Sequence, residues 1–308
     1  MKPLASPPTT AITKVRIMSA KIAVASGKGG TGKTTVATML YRTINRERAK
    51  HALLVDCDVE EPNDVLFFPG SLLDTQAIIR QEIPIIDTAS CTFCRKCAEY
   101  CEFNAIVVIP PAEFAEINSS LCHSCGACLV ACPSDAIRVQ NEPIGTITHY
   151  QDKGGKGILE GRLKIGSAMQ TMAIRSLKKS IAADEKVVIL DAPPGTSCPV
   201  VETISDANYI ILVAEPTPFG LHDLKLMLKL VRELGVPFGV VINKANLGNR
   251  EIFSHLEKEH VEILSEIPFS RSFASQYAWA DLFNQIPEEV ALAHRQIYES
   301  LSEKGLIT

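Results

Sequence analysis

The glycine-rich segment at residues 27–35 constrains the fold of this 308-residue chain more than any other feature. It matches the pattern G-x-x-x-x-G-K-[ST], with an apolar run at 22–25 before it and a helix-forming run at 36–41 after it. Glycines let successive backbone N–H groups curve around a polyphosphate, and a helix N-terminus adds its own N–H groups and dipole. The residues expected to contact nucleotide phosphates are Gly27, Lys28, Gly29, Gly30, Thr31, Gly32, Lys33, Thr34 and Thr35.

Two residues of this phosphate-binding loop have specific expected roles. Lys33 should reach the terminal phosphates, and Thr34 should offer its hydroxyl to a magnesium ion. The alternative is a glycine-rich turn that binds no ligand. The strand before the loop and the helix after it favour the nucleotide site.

Carboxylates follow two more predicted strands. One short buried strand ends at Asp56, and Asp58 comes two residues later; a second apolar strand ends at Asp191. The carboxyl ends of parallel strands face the ligand crevice of such a sheet. We therefore expect Asp191 to bind magnesium through water, and the N–H of Gly195 to sense the γ-phosphate. For Asp56 and Asp58, an ordinary acidic turn is the alternative.

Eight of the ten cysteines lie within an internal repeat in which a shift of 31 residues maps one half onto the other. Each half has the spacing C-x2-C-x2-C-x3-C, which is typical of bacterial two-cluster ferredoxins, where the last cysteine of each run ligates the other cluster. The expected [4Fe–4S] ligands are Cys91, Cys94, Cys97 and Cys132 for cluster one, and Cys122, Cys125, Cys128 and Cys101 for cluster two. Zinc is the alternative, but zinc ribbons use pairs of C-x2-C.

Other residues near these runs have less specific interpretations. Glu102 stands where the first run of a ferredoxin has proline, and His123 is interpreted as a surface histidine that can tune a cluster by a hydrogen bond. Cys57 and Cys198 have no partner at ligand spacing. We expect both to be buried structural thiols.

The loop and the Asp191 segment together resemble a known family. The motif K-G-G-x-G-K-T, with its additional Lys28, resembles the deviant Walker A motif of MinD/Mrp-type ATPases of the SIMIBI class, which include ParA and the nitrogenase iron protein. The sequence D-x-P-P-G-T after the second strand is similar to the Mrp branch. The resemblance implies an ATP-sandwich dimer, either a homodimer or a pair with a paralogue, in which Lys28 contacts the nucleotide of the partner.

The same resemblance implies further roles. Asp56 helps to hold the hydrated magnesium, and Asp58 orients the attacking water, so Lys28, Lys33 and Asp58 are the expected catalytic residues. Asn243 would contact the adenine, and the loop at Pro268 would border the base. The implied cofactors are ATP, Mg²⁺ and two [4Fe–4S] clusters.

Composition excludes several other classes of protein. The net charge of -4 and the absence of a basic stripe argue against nucleic acid as a partner. No apolar run approaches the roughly 18 residues of a membrane span, and the first residues lack the apolar core of a signal peptide. We therefore expect a cytoplasmic protein without a membrane partner.

The predicted fold class is α/β: a doubly wound, mostly parallel sheet forming a P-loop domain, with a small inserted α+β domain of the bacterial ferredoxin type. Residues 1–18 are expected to be a disordered extension. The P-loop domain comprises 19–82 and 141–308, and the ferredoxin domain comprises 83–140. A hairpin is expected over 144–166, with a tip at 151–156, and a helix over 169–183.

Three functions remain open at this point. The first is ATP-gated electron delivery to a protein partner, which two fully ligated clusters favour. The second is a carrier or scaffold for the assembly of iron–sulfur clusters or other metallocofactors, which D-x-P-P-G-T favours. The third is a redox-sensing positioning switch similar to MinD or ParA.

Overall fold

The computed structural model describes residues 19–46, 51–155 and 157–307. The extension expected over 1–18 lies outside the described residues. The strands are β1 (Ala20–Ala25), β2 (Ala52–Asp56), β3 (Leu72–Ile86), β4 (Ile106–Ile109), β5 (Phe114–Ile117), β6 (Ile137–Gln151), β7 (Gly157–Leu163), β8 (Val187–Asp191), β9 (Tyr209–Ala214), β10 (Phe238–Asn243) and β11 (Ile263–Ile267). The helices are α1 (Lys33–Arg46), α2 (Lys96–Glu99), α3 (Ala127–Ala131), α4 (Gln170–Lys179), α5 (Cys198–Ile204), α6 (Pro218–Leu234), α7 (Glu251–Lys258), α8 (Arg271–Ala278) and α9 (Glu288–Glu303).

Nine of these strands form one sheet in the order β11-β10-β9-β1-β8-β2-β7-β6-β3. The seven strands from β11 to β7 are parallel, and β6 and β3 extend the sheet as antiparallel neighbours. This confirms the predicted α/β fold with a mostly parallel sheet. The central strands β2 and β8 are apolar up to their terminal aspartates because both faces are covered by helices.

Apolar side chains from the two faces of the sheet form two core layers. The layer on one face is completed by α4, α5, α6 and α7, and the layer on the other face by α1, α8 and α9. Leu190 of β8 is fully buried in the first layer and Ile189 in the second, as expected for successive residues of a strand. Burial of a side chain of this size stabilises the fold by about 1.5–3 kcal/mol.

The long antiparallel pair β3–β6 was only partly predicted. The expected hairpin is present, since β6 pairs with β7 from Gly145–Leu163 to Gln151–Gly157. However, β3 was not predicted at all, and β3 and β6 stay paired up to Ile86–Ile137. Residues 80–86 and 137–143 therefore form a two-stranded ribbon that extends past Leu163, the carboxyl end of β7. The ribbon projects from the carboxyl edge of the parallel sheet.

The ribbon carries the cysteine-containing segment, residues 87–136. This segment contains α2, α3 and the small antiparallel sheet β4–β5. The sequence repeat is visible in its backbone: the N–H of Asp87 donates to the carbonyl of Ala136, and the N–H of Asn118 donates to that of Ala105, both at 2.7 Å. These two contacts are related by the 31-residue shift, so the segment has an approximate twofold arrangement. The predicted domain boundaries at 82/83 and 140/141 fall within the ribbon.

Candidate functional site at the carboxyl edge of the sheet

The phosphate-binding loop lies between β1 and α1. At two of its glycine positions, a larger side chain would clash with neighbouring atoms. A Cβ on Gly27 would lie 2.7 Å from the Cβ of Asp223, so no larger residue fits against α6. Gly32 has a φ of +96°, and a Cβ there would lie 2.3 Å from Nδ2 of Asn243. This amide donates to the carbonyl of Thr31 at 2.8 Å. Asn243 therefore packs directly on the loop, within the strand β10 where it was predicted.

Two predicted magnesium-binding residues lie side by side on adjacent strands. Asp56 of β2 is in register with Asp191 of β8, and both are almost completely buried. The hydroxyl of Thr34 donates to Oδ2 of Asp191 at 2.7 Å. The structure thus brings together Thr34, Asp56 and Asp191, the three residues expected to surround magnesium.

Backbone groups hold the side chain of Asp56 in place. Its oxygens accept N–H bonds from Asp58 at 3.1 Å, Asn63 at 2.7 Å and Asp64 at 3.0 Å. Burial, followed by the charge of Asp191, nevertheless raises the pKa of Asp56 to about 8. Burial also raises the pKa of Asp191 to about 6, although Lys33 and the hydroxyl of Thr34 oppose this change.

Asp64 is a third buried carboxyl group at this position, and the sequence interpretation missed it. It begins the short 3₁₀ helix Asp64–Phe67, its side chain is inaccessible to solvent, and neither oxygen has a hydrogen-bond donor. Burial, followed by the charges of Asp56 and Asp191, raises its pKa well above the ordinary value. Buried carboxyls without partners are costly, and a bound cation is one way of stabilising them. The donor set therefore fits Mg²⁺, which prefers oxygen ligands and retained waters.

Glu160 of β7 extends this row of acids by one strand. It is in register with Asp56 and is buried. Arg162 donates through Nε to Oε1 of Glu160 at 3.0 Å and through Nη2 to the carbonyl of Pro62 at 3.3 Å. Arg162 thus connects the loop that follows Asp56 to β7. Strand β7 in turn pairs with β6, one of the two strands of the ribbon.

The predicted catalytic residues Lys33 and Asp58 also face this group. The side chain of Lys33 is buried, and its charge lowers the pKa of Asp58, whereas burial, the larger cause, raises it. Lys33 also opposes the raised pKa values of Asp64 and Asp191. One cation therefore balances part of the negative charge of the site.

Lys28 and Gly195 have partners within the chain. Lys28 Nζ lies 3.4 Å from Oε2 of Glu215, and Lys244 Nζ lies 2.5 Å from Oε1 of the same carboxylate. The N–H of Gly195 donates to the carbonyl of Ser26 at 3.0 Å. To contact a nucleotide of a partner or a γ-phosphate, each would have to leave its present partner.

Pro268 follows β11 at the same edge of the sheet as Asn243. The register of β10 and β11 pairs Asn243 with Ile267, the residue before Pro268. The structure therefore brings the two residues expected at the base close to one another and to the loop.

The eight cysteines of the repeat gather into two groups of four. Cys91, Cys94, Cys97 and Cys132 line one small space. Cys101, Cys122, Cys125 and Cys128 line a second small space. These are the two sets expected from the ferredoxin spacing, with the fourth cysteine of each run in the other group.

The surroundings of the sulfurs are equivalent in the two groups. Backbone N–H groups of Phe93 and Ser124 donate to Cys91 and Cys122, both at 3.4 Å. The N–H groups of Ala105 and Ala136 donate to Cys101 at 3.4 Å and Cys132 at 3.3 Å. Such N–H bonds to sulfur are among the features that tune iron–sulfur clusters.

The backbone around the sulfurs adopts unfavourable conformations. Phe93 and Ser124 both have a φ of 52°, and Asn104 and Asp135 have φ values of 51° and 49°. Left-handed conformations of non-glycine residues persist when the surrounding structure requires them. Within the described ranges no three His, Cys, Asp or Glu side chains are placed to ligate a single metal ion directly, so Mg²⁺ at the aspartates would be held partly through its waters. Four sulfurs around a space fit a multi-atom group better.

The two cysteine groups differ in the side chains that lie beside them. His123 stacks on Phe103 beside the second group, with ring centroids 3.8 Å apart. The 31-residue shift places Thr92 and Ser134 at the corresponding positions of the first group, where Ser134 Oγ lies 3.6 Å from Cys132 Sγ. His123 is at the surface, as expected.

The two remaining cysteines lie outside both groups. Cys57 is fully buried, as expected, but Cys198 is exposed at the first residue of α5. The prediction of a buried thiol at Cys198 was wrong because the loop before α5 leaves this end of the helix in solvent. Within the described ranges, no helix has the length and apolar character needed to cross a membrane.

Comparison with known proteins agrees with this geometry. Residues 22–281 match the family described as the CobQ/CobB/MinD/ParA nucleotide binding domain. The chain belongs to this family of P-loop nucleotide-binding proteins. Solved structures support the fold: MinD, a cell division ATPase from Pyrococcus furiosus, has a TM-score of 0.56 at 17% identity and covers 93% of this chain and 99% of its own. The MinD of Pyrococcus horikoshii, solved with Mg-ADP, has a TM-score of 0.54 at 17% identity, with 93% and 97% covered.

Relatives by sequence include two uncharacterized proteins of Methanocaldococcus jannaschii. MJ0578 is 30% identical over 286 residues, which is 92% of this chain and 96% of that protein. MJ0579 is 30% identical over 236 residues, 75% of this chain and 82% of that protein. A 50-residue stretch is 40% identical to the ferredoxin-type protein NapF of Escherichia coli K12, covering 15% of this chain and 30% of NapF.

Proposed function

We propose that this protein is a Mg²⁺-dependent ATPase that couples the nucleotide state of a dimer to two [4Fe–4S] clusters and delivers electrons to a partner protein. One observation carries the proposal: two four-cysteine groups lie on a ribbon that projects from the same edge of the sheet as the phosphate-binding loop. The ferredoxin spacing and the short similarity to NapF support the assignment of residues 83–140 as the cluster-binding domain.

The proposed nucleotide chemistry uses groups of this chain that converge on the metal position. Lys33 and the N–H groups of the loop neutralise the phosphates, and Thr34, Asp56 and Asp191 hold the hydrated Mg²⁺. Asp58 orients the attacking water. Its pKa is raised mainly by burial, so it is a better proton acceptor than an ordinary aspartate.

Residues further from the phosphates complete the proposed site. The N–H of Gly195 leaves the carbonyl of Ser26 when it contacts the γ-phosphate. Asn243 and Pro268, on adjacent strand ends, border the base. Lys28 leaves Glu215 and reaches the nucleotide across the dimer, while Lys244 remains to pair with that carboxylate.

The dimer is either a homodimer or a heterodimer with a paralogue. Two relatives of similar identity occur in Methanocaldococcus jannaschii, so two such chains can coexist in one cell. We place the protein in the cytoplasm, without a nucleic-acid or membrane partner. The clusters, when bound, supply one-electron storage, and the chain supplies four thiolates and two N–H bonds to sulfur for each.

The contact of Arg162 with Pro62 supports a physical link between the two sites. The loop that follows Asp56 is the segment that a bound γ-phosphate would reorder, and Arg162 joins it to β7. Since β7 pairs with β6, movement of the loop is transmitted to the strand that supports the cysteine segment. In this proposal the loop acts as a bistable element of the kind that nucleotide switches use.

An anaerobic redox titration tests the proposal. The potentials of both clusters are measured with and without the Mg²⁺ complex of a non-hydrolysable ATP analogue. We expect a shift of tens of millivolts in at least one cluster, since about 59 mV corresponds to a tenfold change in a one-electron equilibrium. Equal potentials in both states would reject direct coupling. Transfer of intact clusters to an apo-acceptor would instead favour the carrier function.

A further inference from the structure

One cavity lined by described residues lies away from both sites discussed above. It has a volume of about 540 Å³, which is in the range of sites for small organic molecules. The last turns of α1 form one wall, the segment after the helix Asp64–Phe67 forms a second, and the β6–β7 tip and residues 280–284 complete it. Asn45 at this end of α1 hydrogen-bonds to Ala52, the first residue of β2. The cavity is therefore at the amino edge of the sheet, opposite the phosphate-binding loop.

Three cations line this amino-edge cavity: Arg42, Arg46 and Lys153. None of them pairs with a carboxylate among the residues that the structure describes. The two carboxylates of the wall have other donors, since Tyr41 donates to Asp152 at 3.1 Å and Asn284 donates to Asp281 at 3.2 Å. The cavity therefore offers positive charge that no carboxylate of the described residues pairs with.

Arg42 is a partly buried cation whose donors are incompletely satisfied within the described residues. Its guanidinium lies 4.3 Å from the ring centroid of Phe283, and its one protein hydrogen bond is a long contact of 3.5 Å to the carbonyl of that residue. Its Nε is buried and has no acceptor. Burial, followed by the charge of Arg46, lowers the pKa of Arg42. A guanidinium with five N–H donors is suited to bind a planar anion.

Aromatic rings form the apolar part of the wall. Tyr41 packs edge-on against Phe68 at 5.1 Å, and Phe68 packs against Phe283 at 5.0 Å. Rings of this kind favour contact with a flat, apolar ligand. The cavity thus combines cations with an aromatic surface. The cations favour a negatively charged group of a ligand, and the aromatic surface favours a ring of the same ligand.

We propose that the amino-edge cavity is a binding site for a small organic anion that carries an aromatic ring. Arg42 and Lys153 bind the charged group, and Phe68 and Phe283 contact the ring. The site is separate from the nucleotide site, and its existence does not depend on the proposed electron-transfer function. Its walls belong to α1, which begins at Lys33, and to the segment that begins at Asp64.

The test uses 8-anilinonaphthalene-1-sulfonate, an aromatic sulfonate, in isothermal titration calorimetry with the cluster-loaded protein. A saturating Mg²⁺ complex of a non-hydrolysable ATP analogue is present, so that the probe cannot occupy the nucleotide site. We expect one site per chain. Arg42→Ala should weaken binding by at least about tenfold, the effect of losing a charge-assisted hydrogen bond.

Three controls make the result specific. Lys229→Ala removes an exposed cation of α6 that pairs with Glu233, and it should leave the affinity unchanged. Lys153→Glu changes an exposed residue of the tip and should weaken binding even if Arg42→Ala does not fold. Pyrophosphate, which has charge without a ring, should bind more weakly than the probe. Absence of a site with stoichiometry near one, or equal affinity in Lys153→Glu and Lys229→Ala, overturns the proposal.

Discussion

Replacement of Asp64 by asparagine should change how many protons are released when the protein binds magnesium-nucleotide. Three aspartates, Asp56, Asp64 and Asp191, are buried together, and only Asp56 and Asp191 have hydrogen-bond donors. Without a metal, burial and mutual repulsion favour their protonated forms. A bound cation reverses this preference, so the protons must leave when Mg²⁺ enters.

The size of the effect follows from the pKa values. At pH 7 a group with a pKa of about 8, the value of Asp56, is about nine-tenths protonated, whereas Asp191 with a pKa of about 6 is about one-tenth protonated. Binding should therefore release at least about one proton at pH 7, and Asp64 contributes to this release because its pKa is also raised well above the ordinary value. We assign one proton of this release to Asp64, because neither of its oxygens accepts a hydrogen bond, whereas Asp56 accepts three N–H bonds.

Asparagine at position 64 cannot hold that proton, and it also removes a negative charge beside Asp56. We expect Asp64→Asn to lower the release at pH 7 by at least about half a proton. The number is measured by isothermal titration calorimetry in two buffers of different ionisation enthalpy. The ligand is a non-hydrolysable ATP analogue premixed with excess Mg²⁺, so that its own protons have already been lost.

The matched control is Asp206→Asn, an aspartate whose pKa is lowered by its bonds to Lys178 and Lys21 against the effect of its burial. It is ionised at pH 7, so the release should stay as in the wild type. If the wild type releases less than about a third of a proton at pH 7, the raised pKa values are wrong. If Asp64→Asn releases as many protons as the wild type, the assignment of the proton to Asp64 is refuted.

Three other changes have outcomes that follow from single contacts. Lys33→Ala should abolish binding of the magnesium-nucleotide, measured by calorimetry, while the cluster absorbance is retained; normal binding would contradict its role at the phosphates. Thr217→Ala should reduce the free energy of unfolding by about 1 kcal/mol in a denaturant titration, because it removes the oxygen that accepts the N–H of Gly220 at 3.0 Å; no change would mean that the N-terminus of α6 does not need this cap. Leu190→Ala should cost about 2–5 kcal/mol in the same assay because the side chain is fully buried, and a cost below about 1 kcal/mol would show that the core repacks there.

The parallel strands could be predicted from the sequence because a strand that is buried on both faces has an uninterrupted run of apolar residues. Strand β8 is apolar up to Asp191 and β9 along its length, and both were located correctly. Strand β3 carries a different signal. Most of its side chains from Leu72 to Ile78 are exposed, and its partner β6 begins 51 positions after β3 ends, at Ile137 after Ile86. Pairing that distant in sequence leaves no local pattern.

The functional residues divide in the same way. The phosphate-binding loop and the cysteine repeat are local motifs, and the structure brings their members together as expected. Asp64 and Glu160 have no motif: each becomes part of the acidic group only because the chain folds it against Asp56. In the sequence, Arg42 is an ordinary charged residue of α1. It becomes part of a cavity only because the β6–β7 tip and residues 280–284 pack around it in the fold.

The ribbon has a consequence for how a chain like this could arise. Ile86 and Ile137 are paired across two adjacent strands. The two ends of segment 87–136 are therefore joined to the sheet at neighbouring positions. Replacing it by a two-residue turn would close an ordinary hairpin. Conversely, growth of that turn into a folded module adds only a closure entropy that rises slowly with length. The register of every other strand is untouched, so a nucleotide-binding sheet can gain a folded module in one genetic step without first losing its own fold.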